Sequence, residues 1–314
     1  MFLTAEGALQ KLTRLGLKDA RHLASGMEGH VFRVGDHNVA KVWLYKPLSE
    51  VESPRHFYNL LQTLSLPFRT PQIVEARDVG GTVVSLEREL TGTPLRNLIG
   101  ETDLEPPKLA FEAVLNVLGA LKNSFAGGDS PLAVLGVTPS RRARLDGPAS
   151  VLLEVADQKV RRYGDRLRRS VPDFDRIYSR TAHHLQNLPA IGGQAVHGDL
   201  CPENILLDEE GKVAAVLDWG LLSLLGDSAL DASVACGVYD MYGPHHRQLG
   251  DAFRSACQAR LGYSRERLLL YRALYAIVSS NAYAEDERGG HFAWCVENLL
   301  RDDLRSVLSS GRID

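Results

Sequence analysis

The chain is poor in three things. Four cysteines in 314 residues (Cys201, Cys236, Cys257, Cys295) are scattered with no CxxC pair, which argues against a zinc site and against a disulfide framework. Charge of one sign is not in excess: 36 basic residues meet 39 acidic ones for a net charge of -3. Composition therefore supports neither a nucleic-acid partner nor an anionic membrane surface. Long apolar runs are missing too, since no stretch approaches the ~20 residues needed to span a bilayer. The opening "MFLTAEGALQKLTRLG" lacks the basic patch and long apolar segment of a secretory signal. The expected setting is the reducing cytoplasm. What is present, 44% apolar and 24% charged residues, suits a soluble globular protein with one large or two modest domains.

The order of elements divides the chain. "TAEGALQKLTRL" has helical spacing with Thr4 as its N-cap. "ARHLASGMEGHVFRVGDHNVAKVWLY" gives β-rich runs broken at glycine turns, the pattern of consecutive antiparallel strands. A helix follows within "EVESPRHFYNLLQTL", where Pro54 is tolerable only in the first turn. "QIVEARDVGGTVVSLEREL" adds two strands around Gly80-Gly81. Beyond "TGTPLRNLIG" the pattern is mainly helical, apart from a Pro/Gly/Ser-rich stretch, "DSPLAVLGVTPSRRARLDGPAS", read as a loop. The expectation is an α+β chain in two parts, residues 1–91 and 92–314.

One stretch breaks the helical run: "AVHGDLCPENILLDEEGKVAAVLDWG", residues 195–220. "NILLD" and "KVAAVLDW" are apolar and flank Glu209-Glu210-Gly211, a hairpin turn. Asp199 and Asn204 precede the first strand and Asp218 ends the second. A hairpin returns its ends to one side, so these three oxygen-bearing groups should converge. That is what a hard divalent cation and an activated hydroxyl require.

The spacing Asp199-x-x-x-x-Asn204 followed by Asp218-Trp219-Gly220 matches the catalytic and metal-binding motifs of protein kinases. With Gly198 where those enzymes usually carry Arg, "HGDLCPEN…LDWG" resembles the aminoglycoside phosphotransferase family of small-molecule kinases. The resemblance implies a bilobal protein-kinase-like fold, with a small antiparallel β-sheet lobe binding nucleotide and a larger, mainly helical lobe. It also implies that Asp199 is the base orienting the substrate hydroxyl, that Asn204 and Asp218 hold Mg2+, and that His197 supports the loop. "GDSALDASVA" is similar to the family's Gly-Asp-Pro-x-x-Asp-Leu-Ala segment, which makes Asp231 a brace for the loop backbone. Here Ser228 replaces Pro and Ser233 replaces Leu.

The resemblance reaches the N-terminal part as well. "SGMEGHVFRVG" stands where a nucleotide-covering loop would, with Ser25, Gly26 and Gly29 near phosphate. Lys41 of "NVAKVW" is similar to the lysine that neutralises nucleotide phosphates, with Glu52 preferred over Glu50 as its helix partner. "SLERELTGTPL" resembles the hinge, where backbone from Glu87 through Glu89 to Leu90 would meet the adenine edge.

The implied reaction is transfer of the γ-phosphate of ATP or GTP to a hydroxyl of a small molecule, with an aminoglycoside or related cationic antibiotic as acceptor and resistance as consequence. Glu285, Asp286, Glu287 and Glu297 in "YAEDERGGHFAWCVEN" are the candidate acidic contacts for such a substrate. The alternatives are a metabolic sugar or small-molecule kinase and a nucleotide-binding pseudokinase acting through a partner. Eight arginines in "SRRARLDG" and "KVRRYGDRLRRS" lack interleaved aromatics apart from Tyr163, the pattern of a solvated helix face rather than a nucleic-acid groove. No sequence feature fixes the oligomeric state.

Overall fold

Thr4 accepts the Gly7 N–H at 3.2 Å and starts α1 (Ala5–Arg14). The computed structural model describes residues 3–26, 28–99, 107–125, 140–189, 193–220, 222–282, 289–311 and 313. The chain forms two compact units, Met1–Gly92 with Ala214–Asp218, and Thr93–Val213 with Trp219–Asp314.

In the first unit α1 is followed by β1 (Arg21–Ser25), β2 (Gly29–Val34), β3 (Asn38–Trp43), α2 (Leu48–Thr63), β4 (Ile73–Asp78) and β5 (Val83–Arg88). The strands form one antiparallel sheet in the order β1-β2-β3-β5-β4. Side chains alternate across a strand, and here the alternation sorts core from chemistry. Phe32, Val34, Ala40, Val42 and Val84 close a core with Ala8 and Leu12 of α1. Lys41 is therefore turned to the opposite face, where it stands across from Ser85. The Gly80-Gly81 turn between β4 and β5 is fixed by the Gly81 N–H donating to Asp78 Oδ1 at 2.8 Å.

Two expectations need correction. α2 starts at Leu48, earlier than the sequence suggested, so Pro54 lies in its interior and not in its first turn. A proline there cannot donate to the carbonyl four residues before it, and α2 continues with that bond missing. Ala214–Asp218, expected with the C-terminal part, packs with the first unit: Arg69 N–H donates to Ala214 O at 3.0 Å and Val216 N–H to Arg69 O at 2.9 Å.

The second unit contains β6 (Thr93–Pro94), α3 (Lys108–Asn123), α4 (Arg141–Asp146), α5 (Pro148–Ser170), α6 (Phe174–Gln186), β7 (Gln194–Val196) and β8 (Ile205–Leu207). Then come β10 (Leu224–Gly226), α7 (Ala229–Val238), α8 (His246–Leu261), α9 (Arg265–Ser279), α10 (Gly289–Leu300) and α11 (Asp302–Ser309), while β9 (Val213–Val216) belongs from Ala214 onward to the first unit. α4 and the start of α5 occupy part of the stretch read as a loop. Ser140 caps α4 by accepting the Ala143 N–H at 3.1 Å, and Pro148 opens α5, where its missing N–H costs nothing. Every residue of α7 is buried, and it packs against α8 and α9 as the central helix of this unit. Antiparallel pairs β7–β10 and β6–β8 set the strand ends from which the polar loop projects. Among the described residues no helix is long and apolar enough to cross a membrane.

The alternation argument has a direct test. Phe32 is fully buried under α1, so Phe32→Ala should destabilise by about 3–5 kcal/mol in urea denaturation. A loss below about 1 kcal/mol would mean that α1 does not close this face of the sheet.

Candidate active site

The loop after β7 is held from beneath. Asp231 is fully buried on α7, and its two carboxylate oxygens accept the His197 and Gly198 N–H groups, each at 2.7 Å. Burial pushes this carboxyl up to about 7, while the two backbone N–H donors pull it down. Gly198 has φ +84°, a left-handed backbone that an arginine at this position would adopt only with strain. His197 is buried beside Trp219, its Nδ1 accepts the Asp199 N–H at 3.2 Å, and its carbonyl accepts Ser223 Oγ–H at 2.6 Å.

Those bonds fix Asp199 at the rim of the loop. Asn204 Nδ2 donates to Asp199 O at 3.1 Å, which ties the amide to the loop backbone and leaves its carbonyl oxygen as an acceptor. Tyr275 of α9 donates its O–H to Asp199 Oδ1 at 2.9 Å. Burial, reinforced by the Asp199 charge, holds the Tyr275 phenol well above its ordinary value, so it stays a donor. The two departures from the family segment make bonds of their own. The Ser228 N–H, which proline would lack, donates to Gln194 Oε1 at 3.0 Å. Ser233 Oγ donates to Leu268 O at 2.7 Å.

The first unit gathers a second set of charges on the sheet face opposite α1. Lys41 Nζ pairs with Glu28 Oε2 at 2.8 Å and lies 3.9 Å from the Trp43 ring centre. Lys46 Nζ takes the other Glu28 oxygen at 2.5 Å. Burial would raise the Glu28 carboxyl, but Lys41 and Lys46 outweigh it and hold it at about 2. Trp43 Nε1–H donates to Ser85 Oγ at 2.8 Å, and Ser85 Oγ–H donates to Glu87 Oε1 at 2.7 Å. The Glu87 carboxyl is raised chiefly by burial, with Lys41 opposing and the Glu28 and Asp218 charges adding to it. Tyr58 of α2 is raised well above its usual value by burial and by the Glu87, Asp218 and Glu28 charges. Asp218 thus belongs to the same electrostatic set as Lys41, and it holds a left-handed φ of +57°.

Several expected contacts are not made. Glu52 bonds Arg55 at 3.3 Å on its own helix, Glu50 is exposed, and Lys41 is paired with Glu28 instead. The reason is register: β2 and β3 pair Gly29 with Trp43, which carries Glu28 alongside the end of β3. Ser25 bridges His22 and His30, at 2.8 and 2.7 Å. Gly26 N–H donates to Gly29 O at 2.9 Å, and Gly29 is required by the sheet, since a Cβ there would lie 2.3 Å from Val42 O. At the expected hinge, Glu87 pairs within the sheet, the Glu89 N–H is committed to His37 O at 3.0 Å, and Glu89 binds Arg33. Leu90 follows β5 and is half-buried. Glu297 accepts His246 Nε2–H at 3.0 Å and pairs with Arg247. Glu285, Asp286 and Glu287 lie outside the described residues.

Glu28 and Tyr275 escaped the sequence reading. Glu28 sits inside the glycine loop itself, and a hairpin register drawn back from Lys41 could have found it. Tyr275 is 76 residues from Asp199, and no local signal in α9, which holds a second tyrosine, Tyr271, marks it.

The sheet, the buried helix α7 and the braced Asp199 loop together define a kinase-like α+β phosphotransferase. The profile of the Phosphotransferase enzyme family matches residues 19–271, and the chain belongs to that family. It is an enzyme that moves a phosphoryl group from a nucleotide to the hydroxyl of a small molecule. Similar folds include aminoglycoside phosphotransferase APH(3'')-Id from Streptomyces rimosus ATCC10970, at 19% identity and TM-score 0.58 over 86% of this chain and 97% of that one. The gentamicin complex of APH(2")-IIa matches at 16% identity and TM-score 0.57, covering 97% and 98%. Macrolide 2'-phosphotransferase type I matches at 17% identity and TM-score 0.51, covering 100% and 99%. No curated protein matches the chain.

Asp231→Asn would set an amide N–H against one of the two loop N–H groups. The expected loss is about 2–4 kcal/mol, read from the urea midpoint at unchanged slope. A loss under about 0.5 kcal/mol would remove Asp231 as the support of the loop.

Proposed function

We propose that the chain transfers the γ-phosphoryl group of ATP or GTP to a hydroxyl of an aminoglycoside or related cationic antibiotic, and so confers resistance. The observation that carries the reading is the Asp199 carboxylate, fixed by Tyr275 on one oxygen and by a loop whose backbone is tied to Asp231. Phosphoryl transfer asks little covalent chemistry of the protein; it asks for alignment of the hydroxyl and neutralisation of phosphate charge. Asp199 aligns the hydroxyl and accepts its proton as the bond to phosphorus forms. Lys41 offsets phosphate charge once it exchanges Glu28 for a phosphate oxygen. His197 and Asp231 keep the loop in register.

Asn204 and Asp218 are the proposed Mg2+ ligands. The donor set suits a hard cation: one amide oxygen, on a side chain tied to the Asp199 carbonyl, and one carboxylate whose field reaches Glu87 and Tyr58. Mg2+ keeps several of its positions for phosphate and water, so two protein ligands suffice. The ion would neutralise charge on the transferred phosphoryl group.

Proteins of similar fold form complexes with ADP and streptomycin, with GDP, and with gentamicin, which supports nucleotide use and a cationic acceptor. A second reading, a metabolic sugar or small-molecule kinase with a neutral acceptor, is favoured by Glu297. Its carboxylate is already paired with Arg247 and hydrogen-bonded to His246. The pseudokinase reading is disfavoured by the retained Asp199, Asn204, Asp218 and Lys41.

A coupled ADP- and GDP-release screen over aminoglycosides, macrolides and neutral sugars separates these readings. Turnover stimulated by an aminoglycoside supports the proposal; stimulation by neutral sugars alone transfers it to the second reading; no stimulation by any acceptor contradicts both. In the stimulated reaction Asp199→Asn should lower kcat by about 10²–10⁴-fold. Tyr275→Phe should lower kcat about tenfold with the nucleotide KM unchanged. Equal turnover in both variants would remove Asp199 as the base.

A further inference from the structure

The second unit holds a cavity of about 20 Å³ among α7, α8, α9 and α10, and none of the loop residues Asp199, Asn204, His197 or Asp231 lines it. Its wall carries four guanidinium groups, from Arg247, Arg254, Arg272 and Arg301, against the carboxylates of Asp251 and Glu297, with His246 beside them. Glu297 is taken by His246 and Arg247. Asp251 is shared by Arg254 and Arg301, each at 3.0 Å. Behind the wall Asp303 pairs with Arg301 at 2.9 Å and lies 3.6 Å from both Arg254 and Arg265. Five guanidiniums thus face three carboxylates.

Arg272 takes the shortfall. Its Nη2 donates to the Ser233 carbonyl at 2.5 Å and its Nη1 to Asn298 Oδ1 at 3.3 Å, both neutral acceptors. Its Nε is buried and has no hydrogen-bond partner. Gly237 leaves the room that the guanidinium fills, since a Cβ there would lie 2.3 Å from Nη1. Burial, with Arg301 and Arg254 adding, lowers the Arg272 guanidinium to about 10 even though Cys236 and Asp251 oppose the shift. A buried cation whose hydrogen bonds reach only neutral acceptors is costly, and a buried N–H without an acceptor costs about 1–3 kcal/mol more. Both penalties are relieved by an anion with several oxygens.

We propose that this cavity is a binding site for one small oxyanion, inorganic phosphate, held by Arg272 and Arg254. Guanidinium forks match the paired oxygens of such an anion. A space of this size admits a water-sized group or one face of an oxyanion, not a sugar or a nucleotide. The site lies one helical turn from the catalytic machinery along α9, which carries Arg272 and Tyr275 three residues apart. Trp294 touches both, with its ring 5.5 Å from the Arg272 guanidinium and 6.1 Å from the Tyr275 ring.

A thiol, Cys236, lies in the same wall. Burial would raise the Cys236 thiol, but the Cys257 thiol 3.9 Å away and the Arg272 and Arg254 charges bring it below its ordinary value. The test is calorimetric titration of the full chain with inorganic phosphate at constant ionic strength, using wild type, Arg272→Gln, Arg254→Gln and Lys41→Ala. The expected result is one saturable site whose Kd rises at least tenfold in Arg272→Gln and in Arg254→Gln and is unchanged in Lys41→Ala. Arg254→Gln keeps the test open if Arg272→Gln fails to fold. Absence of saturable phosphate binding in the wild type overturns the proposal. So does binding lost in Lys41→Ala but kept in both arginine variants.

Discussion

The grip of Asp231 on the His197 and Gly198 amides is the constraint on which the second unit's polar loop depends. A carboxylate in the centre of an apolar helix is expensive to ionise, and burial alone would leave it protonated well above the usual range. Two short N–H bonds oppose that, and they exist only because Gly198 adopts a left-handed backbone that aims consecutive amides at one side chain. The cost of the buried charge is thereby converted into positional order. If the loop slid by one residue it would leave a charge and two N–H groups unpaired in the protein interior. Downstream, Asp199, Asn204 and the start of β8 inherit that register through the His197 Nδ1 and Asp199 carbonyl bonds.

The first unit solves a related problem by the opposite means. Its charges sit on a sheet face, partly exposed, and are balanced against each other instead of being buried one at a time. Lys41 lies between Glu28 and the Trp43 ring, so its ammonium is stabilised by a carboxylate and by an aromatic face. Glu28 itself serves two lysines. Because Glu28 keeps Lys46 as a second partner, Lys41 can exchange Glu28 for another anion without leaving that carboxylate unpaired. The core on the other face, closed by α1, is what keeps the strand register fixed while it does so.

What the sequence disclosed and what it hid divide along chain distance. The two parts of the α+β fold were legible because apolar periodicity changes from two to about four within the chain, and because turns carry glycine. The Asp199-to-Asn204 spacing was legible because the loop's hydrogen bonds run over two to five residues. Asp231 was reached through a family resemblance alone, as a helix residue with no local mark. The partner of Lys41 was misassigned to Glu52, since the choice rested on the next helix while the true neighbour is set by strand register. Tyr275 was invisible for the same reason: helix packing brings it to Asp199 across 76 residues. The helix α4 was hidden by Pro and Gly on its flanks, which act there as cap and helix opener and not as loop formers. Pro54 misled in the other direction, because an element boundary drawn from a proline assumes that no helix tolerates one inside.

Native-state hydrogen exchange of the His197 and Gly198 amides tests the central claim most directly. Both should exchange only through global unfolding, with protection equal to that of the most stable amides of α7, because neither can reach water while Asp231 holds it. Exchange at the rate of an open surface loop, at either position, would contradict the account.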